Sequence, residues 1–280
     1  MQEIASNVFI EHNSIGLVAG IIHNEQGTVL IDSPVRNDDA GSWRGGTARM
    51  VTGQPRYMVV LDSNYDRLLS IKGSDCIIVA HTDSIQPIRS RIPMVKSADE
   101  LSLHDIHDHP TGTSRIQSSE INFDDQLTLY LNGLRIELEH HPGSNQSGVW
   151  AVIPDRDVVF VGDAVVVDQP PFLAYSNLEV WEKDLKELGS KRFKDYQVVS
   201  ARNGLVNKDQ IKTMAKNIAY IKATFEKLAT SNAPLEEWHA KIPAISNRIS
   251  ELDLFNSEIF YNRLHWGIST YYGINQQKRG

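Results

Sequence analysis

Tyr57-Met-Val-Val-Leu61-Asp62-Ser63-Asn64-Tyr65-Asp66-Arg67 carries an apolar, strand-forming run straight into a polar one crowded with carboxylate, amide and guanidinium groups. A buried strand that ends this way delivers chemistry-bearing side chains to the edge of a sheet. Working outward, Asn7-Val-Phe-Ile10, Gly16-Leu-Val-Ala-Gly-Ile-Ile22 and Gly27-Thr-Val-Leu-Ile-Asp32-Ser-Pro34 read as short β-branched strands separated by polar turns. Asp75-Cys-Ile-Ile-Val-Ala80 is a further buried strand. Leu127 to Leu138 reads as a hairpin with Asn132-Gly133 at its turn, a strong short-range signal. His141-Pro142-Gly143-Ser144-Asn145 and Val158-Val-Phe-Val-Gly162-Asp163 follow in order.

At 280 residues, 41% hydrophobic and 22% charged, the chain can bury one large core, or a core with an appendage. A net charge of -7 and a pI near 5.8 argue against a nucleic-acid surface. The one cysteine, Cys76, lies in an expected strand and reads as core packing, with no disulfide to form within the chain. Met1-Gln-Glu-Ile-Ala5 is not a basic start to an apolar run, so the expectation is a cytoplasmic protein with no membrane partner.

Over roughly residues 5 to 205, the order and spacing of these elements resemble the metallo-β-lactamase superfamily, with Leu30-Ile31-Asp32, Pro142-Gly143 and Phe160-Val161-Gly162-Asp163 as the sharpest motifs. The resemblance implies an α/β (α+β) fold, a four-layer αββα sandwich, across residues 1–206. Residues 207–280 are left as a helical C-terminal extension packed on it. It also implies a pocket where the loops holding residues 62 to 67, 144, 163 and 202 to 203 converge.

At that pocket the chain departs from the family. The resemblance implies a His-x-His-x-Asp-His loop with histidines at positions 62, 64 and 67, where this sequence has Asp62, Asn64 and Arg67 and keeps only Asp66. A further histidine is expected where Ser144 stands, and another in the late turn that holds Arg202 and Asn203; the bridging aspartate remains as Asp163. Zinc is held by imidazole and thiolate. Asp62, Asn64, Asp66, Ser144 and Asp163 make an all-oxygen set that suits a harder cation. A guanidinium about 4 Å from a divalent ion costs on the order of 8 kcal/mol at an effective dielectric near 20. Beside Asp66 and Asp163, however, Arg67 or Arg202 would supply the positive charge that buried carboxylates require.

Three arrangements follow. Arginine replaces metal as the counter-charge, which is preferred; or the arginines face solvent around a wet pocket; or one divalent cation (Mn, Mg, Fe or Zn) sits on Asp62, Asp66 and Asp163. The first implies no cofactor and a pseudoenzyme that binds a small anionic ligand through Asn64, Arg67, Ser144, Asp163, Arg202 and Asn203. The alternative is a hydrolase of an ester, lactone, thioester or phosphoester with a non-classical metal site, or with Asp66 as the catalytic general base.

Other segments add expectations. Leu103-His104-Asp105-Ile106-His107-Asp108-His109 reads as a solvated loop, or as one whose imidazoles reach the pocket. Of His140 and His141, one should face the pocket and one the solvent, while His81 is structural. Phe172 and Tyr175 either wall the cleft or pack their own loop. Ser176-Asn-Leu-Glu179 reads as a capping box that opens a helix ending at Gly189. Beyond it, helices are expected over Asn207–Thr230, over Leu235–Leu252 with Pro243 kinking or dividing it, and over Ser257–Tyr272. Trp266, Tyr271 and Tyr272 would be the patch through which a homodimer forms.

Overall fold

The computed structural model describes residues 1–12, 17–34, 43, 56–71, 75–84, 119–249 and 257–277. Among these, β1 (Gln2–Ala5), β2 (Val8–His12), β3 (Val18–Asn24), β4 (Gly27–Ile31), β5 (Arg56–Val60), β6 (Ile77–His81) and β7 (Ile121–Phe123) form one sheet in that order. The first four pair antiparallel, and β4 through β7 pair parallel. A second sheet is ordered β13 (Gly204–Val206), β12 (Gln197–Ser200), β11 (Val158–Phe160), β10 (Val149–Ile153), β9 (Leu134–His140), β8 (Gln126–Leu131). It is antiparallel except for the parallel β11–β12 pair. The helices are α1 (Tyr65–Ser70), α2 (Leu178–Leu188), α3 (Lys208–Thr230), α4 (Leu235–His239), α5 (Ile242–Ile249) and α6 (Ser257–Gln277).

The central strands, β3 to β6 in the first sheet and β10 to β12 in the second, bury both faces for most of their length and so read as apolar runs, whereas β8 alternates. In β10 the pleat sends Val149, Ala151 and Ile153 into the core between the sheets, and Trp150 and Val152 outward beneath the helices. Val8, Ile10, Val29, Ile31 and Val59 meet Leu138, Ala151 and Phe160 between the sheets. Trp181, Met214, Ile218, Trp238, Ile245, Leu264 and Ile268 cover the second sheet, and Trp43, Leu68 and Ile71 share a third core with Ala19, Ile21 and Met58 of the first. The molecule is thus an α/β sandwich of two mixed sheets with helices outside and further helices at its C-terminal end. No helix among the described residues is long and apolar enough to cross a membrane.

Local chemistry fixes the connections. Leu131 pairs with Leu134 across Asn132 and Gly133, both at positive φ (45° and 81°), the geometry of a type I′ hairpin. Asn207 caps α3 in a reciprocal capping box with Gln210. The cap of α2 is Asn177, whose side chain accepts from Val180 N, rather than Ser176. Ser176 Oγ instead donates to Leu173 O and closes the preceding turn. Pro243 divides its helix: α4 stops at His239 and α5 starts at Ile242, where proline's missing N–H goes unneeded. Helix α6 continues past Tyr272 to Gln277.

The aromatic patch expected to drive dimerisation packs inward. Tyr271 and Tyr272 lie against Trp238, Tyr271 also meets Phe225, and Trp266 meets Tyr175 edge-on. Tyr271 and Tyr272 close the extension on its own helices, and Trp266 packs it on the Tyr175 loop of the sandwich.

Candidate functional site

Strand ends from both sheets build the site. Asp32, just past β4, adopts φ 54°, donates its N–H to Val59 O (2.9 Å), and accepts Leu61 N on Oδ1 (3.1 Å). It thereby ties the ends of β4 and β5 together. Asp62 Oδ1 accepts Asn64 N (2.8 Å), a side-chain turn that reverses the chain, and Asn64 O then accepts the N–H groups of Arg67 and Leu68 to start α1. Asp66 and Arg67 therefore sit on the first turn of that helix. From the second sheet, Gly162 at φ 59° opens the short turn Gly162–Ala164 that presents Asp163. Ser200 Oγ accepts Arg202 N (3.1 Å) and sets the neighbouring loop.

These side chains converge on one buried cluster. The fully buried Arg67 guanidinium contacts Asp163 Oδ1 (Nη2, 2.8 Å), Asp32 Oδ2 (Nε, 3.1 Å), Asp62 Oδ2 (Nε, 3.4 Å) and Asp66 Oδ1 (Nη1, 3.4 Å). Arg202 grips Asp163 with two parallel bonds, Nε to Oδ1 (2.9 Å) and Nη2 to Oδ2 (3.1 Å), and places Nη1 2.6 Å from Asp66 Oδ2. Asn64 Nδ2 donates to Asp163 Oδ2 (2.7 Å), and Asn145 Nδ2 donates to Asn64 Oδ1 (3.2 Å).

Charge is distributed unevenly among the carboxylates. Burial pushes Asp163 up, but Arg202 and then Arg67 outweigh it and hold the group below the usual range. Asp62 has the longest contacts to cations, so burial prevails over Arg67 and lifts it to about 8; Asp32 rises to about 6 for the same reason. Near neutral pH Asp62 is therefore protonated.

A third guanidinium closes the cluster from α6. Arg263 is buried, donates from Nη1 to Gln169 Oε1 and Pro170 O (both 2.9 Å), and lies 4.1 Å from the Phe172 ring centroid. Arg202 lies 4.6 Å from the same ring. Burial lowers Arg263 to about 9, opposed by attraction to Asp66. Asp32, Asp62, Asp66 and Asp163 thus surround the Arg67 and Arg202 guanidiniums, with Arg263 attracted to Asp66.

Asp62, Asn64, Asp66, Arg67, Asp163 and Arg202 are brought together in this cluster. Asn203 turns away: its amide pairs with the main chain of Val167 through Nδ2 to Val167 O (3.2 Å) and Val167 N to Oδ1 (2.9 Å). Ser144 is buried in its loop, but the residue that reaches the cluster from there is Asn145. Asn145 is held in turn by Ser63 Oγ and Ser147 Oγ on its Oδ1. Asp32, Asn145 and Arg263 are the members that the sequence reading missed. Asp32 stood in a quoted motif, and Arg263 shares a face of its helix with Phe260 and Gly267, an arginine on an otherwise apolar stripe.

Among the described residues, His81, His140 and His141 are held by packing and hydrogen bonds. His81 Nε2 lies 2.6 Å from Asp124 O, and its ring stacks on His140. His141 does not face solvent: it is buried on Trp150 between Asp184 Oδ1 (3.0 Å) and Glu139 Oε2 (3.4 Å). Burial alone would lower its pKa, but those hydrogen bonds outweigh it and raise the group to about 9. Glu139, His141 and Glu187 could offer three ligand atoms to a cation, but Arg192 pairs with both glutamates and already supplies their counter-charge. His104, His107 and His109 lie outside the described residues.

Two face-packed mixed sheets, with a cluster of carboxylates where their strand ends meet, define a protein of the metallo-β-lactamase fold. Residues 74–200 match the family model of the Metallo-beta-lactamase superfamily, and the loop at 62–67 lies outside the matched stretch. Solved structures agree on the fold. A metallo-beta-lactamase family protein from Thermus thermophilus is 12% identical, with 98% of this chain and 95% of that chain covered at a TM-score of 0.62. The inverting sec-alkylsulfatase Pisa1 from Pseudomonas sp. is 12% identical, covering 97% of this chain and 49% of that one at a TM-score of 0.65. DIM-1 metallo-beta-lactamase is 12% identical over 78% of this chain and 96% of that one, with a TM-score of 0.59. The chain spans about half the length of the sulfatase. No curated protein matches it.

Proposed function

We propose that this protein is a pseudoenzyme of the metallo-β-lactamase fold, in which Arg67 and Arg202 occupy the electrostatic role that metal ions fill in the family. One observation carries the reading: both guanidiniums bond the same oxygen, Asp163 Oδ1, at 2.8 and 2.9 Å. The residues present do not fit a zinc centre. The cluster contains no imidazole or thiolate among the described residues, and its carboxylate oxygens are already engaged by cations. A divalent ion within about 4 Å of either guanidinium would meet repulsion on the order of 8 kcal/mol.

The same packing limits the proposed anion site. Arg67 has no exposed surface, and an anion addressing Arg67 or Arg202 would have to displace Asp66 or Asp163. The cluster therefore reads as an internal brace that locks the two sheet edges together, with ligand recognition left to other surfaces. The competing reading, a hydrolase of an ester, lactone, thioester or phosphoester with Asp66 as general base, draws on fold relatives that include a sulfatase and a β-lactamase.

The test is turnover. Protein incubated with zinc, manganese or magnesium is assayed on carboxylic esters, sulfate esters, phosphoesters, lactones, thioesters and β-lactams, with and without chelator. The expected result is no rate above buffer. Chelator-sensitive turnover that disappears in Asp163→Ala would establish the hydrolase instead.

A further inference from the structure

Away from the carboxylate cluster, a cleft of about 1040 Å³ opens between the C-terminal half of α2, the connection through Phe193 and Tyr196, strands β12 and β13, and the first turns of α3. Leu188, Phe193 and Ile211 give it an apolar, buried lining, and Leu205 on the edge strand β13 adds an apolar side chain that is 41% exposed. The rim has the opposite character. Lys186, Lys194, Lys208 and Lys212 all line the cleft and are exposed. The one acidic residue lining it, Glu182, is paired with Lys222 at 2.6 Å. Among the described residues, no ion pair joins Lys186, Lys194 or Lys208 to an acid, and the Lys212–Asp209 pair is highly exposed and therefore weak. Lys208 also opens a helix of 23 residues, whose N-terminal end contributes further positive potential. On a chain with a net charge of -7, this is a local reversal of sign over an apolar surface.

We propose that the cleft binds a single-chain anionic amphiphile, an alkyl carboxylate or alkyl sulfate monomer, with its chain on the apolar floor and its head among Lys186, Lys194 and Lys208. The charge and the lining favour such a ligand: the buried apolar floor takes the chain, and the lysine rim, with its one acid already paired, takes an anionic head. The volume, about 1040 Å³, lies just above the usual span of ligand pockets, about 300–1,000 Å³, and leaves room for a flexible chain. None of these residues belongs to the carboxylate cluster, so the inference stands apart from the pseudoenzyme reading.

Isothermal titration of the full chain with dodecanoate, below micelle formation, tests it, with dodecyltrimethylammonium as the cation of equal chain length. The expected result is saturable binding of dodecanoate only, weakening as salt rises from about 50 to about 500 mM. Affinity should drop at least about tenfold in the Lys186→Glu/Lys194→Glu double variant and in Leu205→Glu, each with an unchanged circular dichroism spectrum. Absence of saturable heat, equal binding of the cation, or wild-type affinity in both variants would overturn the proposal. So would saturable binding of an acidic amphipathic peptide without dodecanoate binding, or dimerisation that the double variant abolishes. Those results would assign the cleft to a protein partner or to a second copy of the chain.

Discussion

Replacing Arg67 with methionine keeps an unbranched side chain in the cluster and deletes its charge. Arg67 contacts four carboxylates with no exposed surface, so the substitution leaves buried charge without its central partner. Removing one partner of a buried ion pair costs about 3–5 kcal/mol. Arg202 still holds Asp163 and Asp66, and Asp62 is already protonated near neutral pH, so the expected loss falls at the lower end, about 3 kcal/mol. In a chain of this size that lowers Tm by roughly 10 °C. The pH dependence separates lost charge from lost packing. Without Arg67 the carboxylates are pushed up further, the folded state binds more protons than the unfolded chain, and stability falls as pH rises. The deficit against the native protein, measured by urea unfolding, should therefore be larger at pH 8 than at pH 5. A loss below about 1 kcal/mol, or a deficit equal at both pH values, would refute the account of Arg67 as the internal counter-charge.

Other outcomes follow from the same contacts. Asp62 titrates near 8 when folded and near 3.8 when unfolded, so its linked stability is fully present below about pH 4, declines as pH rises to about 8, and is level beyond; urea unfolding of Asp62→Asn should show a shallower decline across that window. The contribution of His141, raised to about 9 by Asp184 and Glu139 against burial, is complete below about pH 6.5 and lost as pH rises through about 9; an imidazole midpoint near 6.5 by NMR would contradict that network. Gly143→Ala would set a Cβ 2.3 Å from Asp184 Oδ2 and 2.5 Å from Trp181 Cα, and overpacking of this kind should cost about 1–3 kcal/mol in thermal or urea unfolding. Incubation with a chelator should leave Tm unchanged, because the brace is built from side chains alone; a fall of several degrees would show a bound ion contributing to stability.

The sheets were legible because their strands carry the pattern of two-sided burial. Ile77-Ile-Val-Ala80 and Val158-Val-Phe160 are apolar throughout, and Asn132-Gly133 specifies its own turn. Helix boundaries depended on finer chemistry: Ser176 and Asn177 are both good caps, and the choice falls to Asn177 because its N–H is already directed to Gly143 O at 2.8 Å. At the site, sequence order placed Asp66, Arg67, Asp163 and Arg202 in one pocket, since each ends or follows a strand at the same edge. It did not separate Ser144 from Asn145 or Arg202 from Asn203, because which of two adjacent loop residues points inward depends on backbone turns that neither residue type dictates. Arg263 was out of reach for another reason. Its partners, Gln169, Pro170 and Phe172, lie over ninety residues away along the chain, and only tertiary packing of α6 brings them together.

The central claim is that positive charge in this pocket comes from arginine, and metal stoichiometry addresses it most directly. Protein purified without chelator or affinity metal, then incubated with zinc, manganese, iron or magnesium and desalted, should carry well under one equivalent of any of them by elemental analysis. A near-stoichiometric ion that disappears in Asp66→Ala and Asp163→Ala would contradict the claim and return the site to metal-dependent chemistry.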